Sequence, residues 1–158
     1  DPVPGGAGQR AAGAGASGVM DCLGIHYNEG ILPPDARSGD PRGNSSHYSR
    51  YYLSMIGVYS AIFPGKPLCF TELGYLTPEG YGPLPANFSW ASNVTVANQA
   101  EWLARAVTIA RSRGDIRLMI IWNVDFTRYD DDPMAGYAII RPNATCPSCN
   151  TLRVSMGL

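Results

Sequence analysis

Apolar positions fall into two alternating kinds of run. Short, nearly unbroken apolar runs occupy residues 19–27, 67–71 and 116–121. Between them lie two longer segments in which apolar residues recur at helical spacing. The first covers 47–63, with Tyr48, Tyr52, Met55, Ile56, Tyr59, Ile62 and Phe63 on one face. Ser45 or Ser46 can cap it, and Pro64 and Gly65 stop it. The second covers 96–113, with Thr95 as cap, Gly114 at its end, and Ala100, Leu103, Ala104, Val107 and Ala110 as its apolar face. The pattern predicts strand, helix, strand, helix, strand.

That order calls for a parallel sheet joined by crossovers, a βαβαβ unit of α/β class. The strand runs lack apolar–polar alternation, as expected when both sheet faces are covered. Residues 1–18 are rich in Gly and Ala and read as a linker or the remnant of a helix. Residues 147–158 suggest a short terminal helix. Long loops rich in Gly and Pro follow each strand, over 28–44, 74–93 and 124–145.

Each strand closes on groups suited to chemistry. The first ends in His26-Tyr27, followed by Asn28-Glu29; the second ends in Glu72; the third ends in Trp122-Asn123. The C-terminal ends of parallel strands are where α/β folds place their sites. A carboxylate there is costly to bury unless it is paired or used. Sugars need flat aromatic faces for their C–H surfaces and polar groups for their hydroxyls. Tyr27, Tyr75, Tyr81, Trp90 and Trp122 can offer the first; His26, Asn28, Asn123 and the aspartates of the third loop can offer the second.

Taken in order, His26-Tyr27, Thr71-Glu72-Leu73-Gly74 and Trp122-Asn123 resemble strands six, seven and eight of the large clan of (β/α)8-barrel glycoside hydrolases with catalytic carboxylates on strands four and seven. The resemblance covers about residues 19–125. It implies a partial TIM barrel and a C-terminal piece of a catalytic domain over 19–158. It implies retaining cleavage of O-glycosidic bonds in an oligo- or polysaccharide, with Glu72 as nucleophile and His26, Tyr27, Asn28, Glu29, Tyr75, Trp122 and Asn123 around the substrate. The clan's acid/base Glu, usually preceded by Asn, belongs to strand four. Asn28-Glu29 looks like that dipeptide but follows strand six. A whole barrel of this kind would have roughly 300–450 residues. The chain is therefore expected to be a fragment that is inactive alone. The alternative is a non-catalytic carbohydrate-binding or interaction domain on a degenerate barrel.

Composition adds boundaries. Of 158 residues, 45% are hydrophobic and 16% charged, and the net charge is −1. So balanced a charge gives no drive toward nucleic acid or an anionic membrane. No apolar run approaches the ~20 residues of a spanning helix. The chain begins at Asp1, so a missing leader carries no weight. No cofactor or metal is expected. Cys22 and Cys69 fall within predicted strands and read as small buried hydrophobes. Cys146 and Cys149, in Cys-Pro-Ser-Cys, read as a local disulfide or two free thiols with a local structural role; a lone pair is a poor zinc signal. Sequons at Asn44, Asn87, Asn93 and Asn143 matter only in a eukaryotic secretory setting. Secretion or cell-surface display would suit a polysaccharide substrate.

Overall fold

Strands β1 (Leu23–Tyr27), β2 (Leu68–Leu73) and β3 (Ile116–Ile121) form one sheet in that spatial order, with both pairs parallel. The structure is a computed structural model and describes residues 6–158. Helix α2 (Tyr52–Ile62) connects β1 to β2, and α3 (Val96–Arg113) connects β2 to β3. The α/β class and the parallel βαβαβ order are as expected. Helix α1 (Gly6–Gly13) falls in the segment read as a linker or helix remnant, whose residues 1–5 lie outside the described part. Helix α4 (Pro147–Met156) is the expected terminal helix and packs along α3.

Helix α3 begins where the cap was expected. The Thr95 side chain accepts from the Asn98 amide while Asn98 accepts from the Thr95 amide, and Gly114 ends the helix at φ 74°. Its buried face is wider than the apolar pattern suggested. Gln99, Trp102, Ala106 and Ile109 join Ala100, Leu103 and Ala110, while Ala104 and Val107 are only half-buried. The reason is that α4 and two loops cover α3 as well as the sheet does. Helix α2 starts later than expected. Neither Ser45 nor Ser46 caps it. A short turn over Tyr48–Arg50, capped by His47, comes first.

The core lies between the sheet and the two crossover helices. Ile25, Tyr27, Leu68, Phe70 and Leu73 from the strands meet Tyr52, Ile56, Leu103 and Ala106 from the helices. Among the described residues, the opposite face is largely uncovered. Gly24, His26, Thr71, Leu118 and Ile120 are exposed there, so β1 alternates after all and β3 does so from Leu118 onward. Continuous apolar strands had implied burial on both faces. Among the described residues, packing covers mainly one.

The cysteines of the strands are not lone hydrophobes. Cys22 and Cys69 form a disulfide with a Cα–Cα distance of 5.9 Å, pinning the start of β1 to the start of β2. Sequence offered no cue, because the partners meet only once the strands pair. Closing a loop of this size restricts the unfolded chain by about 4 kcal/mol in the chain-entropy model. Cys146 and Cys149 are also bonded, so of the alternatives for that pair the disulfide is realised.

Candidate functional site

Glu72 owes its direction to a bulge. In the pairing of β1 with β2, Ile25 lies opposite Phe70 and His26 opposite Glu72, so β2 carries one extra residue. The pairing with β3 shows the same irregularity between Phe70 and Leu73. Strict alternation would put Glu72 on the same face as Phe70, against the helices. One extra residue flips everything after it to the other face. Glu72 thus stands beside His26 on the open face, while Leu73 returns to the core. The strand runs one residue beyond the expected end at Glu72.

Three groups meet at this end of the sheet. Asn28 Nδ2 donates to Glu72 Oε2 at 2.7 Å. His26 Nδ1 lies 3.5 Å from the same oxygen, within ion-pair reach when the imidazole is charged. Among the described residues, no donor is hydrogen-bonded to Oε1. The Glu72 side chain is 27% exposed and that of His26 58%. One carboxylate oxygen is held and the other is open. The open oxygen is free to act as a nucleophile or to accept a hydrogen bond.

The strand ends interlock behind these side chains. Gly74 N–H donates to Tyr27 O, and Trp122 N–H donates to Leu73 O. Gly74 is glycine because of closeness: a Cβ there would sit 2.2 Å from Trp122 O and 2.8 Å from the Tyr137 ring. Tyr137, buried on a short turn after β3, donates from Oη to Asn28 O at 2.8 Å. Asn28 is therefore held from the third loop while it holds Glu72. Burial raises the Tyr137 hydroxyl well above the ordinary range, so it stays a donor. Sequence reading passed over Tyr137, since nothing in its neighbourhood marks it.

Other expected site residues have different employment. Tyr27 and Tyr75 are 1% and 0% exposed. They form an edge-to-face cluster with each other, Tyr52 and Trp102, so neither offers a face to a ligand. Asn123 is also buried. Its Nδ2 donates to Met134 O and its Oδ1 accepts from the Phe126 amide, which fixes the third loop. Glu29 is drawn to Arg50 at 3.2 Å and to the Ser49 hydroxyl. Trp122 is half-buried beside the core, and its peptide bond to Asn123 is cis. Tyr81 stacks on Tyr129 and carries the Arg141 guanidinium, and Arg42 lies over Trp90. Of the loop aspartates, Asp130 is paired with Arg128. No group of three or more metal-ligating side chains occurs among the described residues.

Gln99 is the second residue missed. It is fully buried in α3, and its Nε2 approaches Tyr75 O at 2.8 Å, Tyr137 O at 3.2 Å and Gly136 O at 3.3 Å. One amide thus ties the loops after β2 and β3 to α3. A search for apolar periodicity cannot find such a residue. Hollows exist elsewhere: about 350 Å³ between Glu79 and Arg141, and about 690 Å³ between α3 and α4. Glu72 borders neither. No described helix is long and apolar enough to cross a membrane. No family model matches the chain, nor does any curated protein or solved structure.

Proposed function

We propose that this chain contributes the nucleophile side of a retaining glycoside hydrolase, with Glu72 as the attacking carboxylate and an oligo- or polysaccharide as substrate. The observation that carries this reading is Glu72 at the C-terminal end of β2, with Oε2 engaged by Asn28 and His26 and Oε1 open. The sheet supports a partial barrel. Both crossover helices lie on one face and the site residues on the other, whereas a doubly wound sheet would carry helices on both. In this reading β1 to β3 are strands six to eight. Oε1 attacks the anomeric carbon and the leaving oxygen departs. A second carboxylate, from outside this chain and about 5–5.5 Å from Glu72, protonates it and later activates water. Glu29 follows β1, strand six in this reading rather than strand four, and its Oε2 is engaged by Arg50 and Ser49. Two disulfides suit an oxidising compartment, as secretion or surface display would provide.

The test exploits the missing acid. A 2-deoxy-2-fluoroglycosyl fluoride has a leaving group that needs no protonation, so nucleophile and substrate contacts suffice to trap a glycosyl ester. A panel of such sugars should label the peptide containing Glu72, and Glu72→Gln should abolish the label. Label on another carboxylate, or no label from any sugar in the panel, would overturn the nucleophile role. A second reading, sugar binding without cleavage, is favoured by the open surroundings of Glu72, which borders neither of the two hollows described. It predicts saturable binding of the same sugars, undiminished in Glu72→Gln, with no covalent label.

A further inference from the structure

We propose that the Cys146–Cys149 disulfide is a thiol-exchange site, opened by external dithiols while the Cys22–Cys69 bond stays closed. The proposal is independent of the glycosidase reading. It concerns the motif which that reading leaves unused.

The two bonds sit in opposite settings. Cys69 is 3% exposed within β2, and its bond to Cys22 bridges a sequence separation of 47 residues. An attacking thiolate needs access to a sulfur; Cys69 is closed to it and Cys22, just before β1, is half-buried, so neither half is exposed. The second bond bridges a separation of three residues. Cys149 is exposed, while Cys146 is half-buried at the edge of the core. The accessible sulfur is therefore that of Cys149.

The leaving group is prepared as well. Cys146 is the N-cap of α4, and the Cys149 amide donates to Cys146 Sγ at 3.2 Å. Pro147 follows at the first helical position, where a missing N–H leaves nothing unsatisfied. The Cys149 amide is shared with Cys146 O at 3.1 Å, and an anion at Cys146 Sγ would strengthen its side of that bond and face the positive end of the helix. A cysteine so placed ionises more readily than a free one, and a more acidic thiol leaves faster.

The exchange balances as follows. A thiolate of the external dithiol attacks Cys149 Sγ, and a new S–S bond forms. The Cys146–Cys149 bond breaks, and its electron pair leaves on Cys146 Sγ as the thiolate. The second thiol of the reductant, deprotonated, attacks its own sulfur in the mixed disulfide and expels the Cys149 thiolate. The dithiol is oxidised to a cyclic disulfide, and the protein gains two electrons and two protons.

The fold does not rely on this bond to keep α4 in place. Leu152 is buried, Thr151 Oγ1 donates to Ala100 O at 2.8 Å, and Arg111 donates to Ser155 O. Reduction should therefore leave the helix docked and the site ready to close again.

The experiment needs no variant, so misfolding cannot mask the result. The intact, fully oxidised chain is incubated under native conditions with dithiothreitol, and in a parallel arm with glutathione. Samples are quenched in acid, alkylated and peptide-mapped. The Cys146–Cys149 bond should open at least tenfold faster than Cys22–Cys69 with dithiothreitol. The dithiol should outpace the monothiol at equal thiol concentration, because its second step is intramolecular. In the reduced protein, the pH profile of Cys146 alkylation should have its midpoint below the ~8.5 of a free cysteine. Equal or reversed rates for the two bonds, or a midpoint at or above ~8.5, would overturn the proposal.

Discussion

Asn28 is the residue on which the candidate site turns. Its side-chain amide N–H meets Glu72 Oε2 at 2.7 Å, and its backbone carbonyl is held by Tyr137. A hydrogen bond to a charged group contributes about 1.5–3 kcal/mol. Asn28→Leu should therefore slow covalent labelling of Glu72 about 10- to 100-fold with little change in melting temperature. Labelling kinetics in the two proteins check this, and equal rates would remove Asn28 from the site. Asp40 gives a second expectation, in pH. Burial pushes its carboxyl up, but the Arg42 side chain, its amide and its charge outweigh this and hold it below the usual carboxylate range. A lowered pKa gives stability that is present above the unfolded value, ~3.9, and lost as pH falls through the folded value. Urea midpoints should drop below about pH 4 more steeply in the wild type than in Asp40→Asn. Identical slopes would show that the Asp40–Arg42 pair contributes nothing. At this scale, Glu72, His26 and Asn28 were legible because polar groups at strand ends are conspicuous. That Tyr27, Tyr75 and Asn123 would be buried was not legible, because residue type does not reveal direction. A tyrosine at a strand end looks the same whether it meets solvent or another ring.

At the scale of elements, order and type were readable and facing was not. Apolar run length separated strands from helices, and Thr95 and Gly114 marked α3 to the residue. The bulge in β2 left no mark in sequence, yet it decides which face Glu72 occupies. Strand β3 exposes Leu118 and Ile120 at 45% and 46% on an edge strand of the sheet. An exposed apolar edge strand invites pairing with another chain. Leu118→Lys combined with Ile120→Lys should suppress concentration-dependent association of this chain in sedimentation velocity. Since neither side chain is buried, the change in unfolding free energy should stay within about 1 kcal/mol. If the double variant associates as the wild type does, β3 is not the sticky edge.

Across the whole molecule, the Cys22–Cys69 bond secures one end of the sheet, and the groups proposed for chemistry gather at the other. The covalent tie was invisible in sequence because it depends on strand register, which local pattern cannot supply. Gln99 joins what lies between. Its two amide hydrogens are shared among carbonyls at Tyr75, Gly136 and Tyr137, all from loops flanking the candidate site. A loop held by its own contacts can open alone. Loops that share one donor lose it together, so their openings form one cooperative unit. Amides of residues 74–77 and 134–139 should then exchange hydrogen with a common opening free energy, and Gln99→Leu should lower that value for both segments by about 1–3 kcal/mol. Exchange that accelerates in one segment alone would show the loops to be independent. Any ligand that orders the loop beyond β2 would then, through this single side chain, also quiet the loop beyond β3 without touching it.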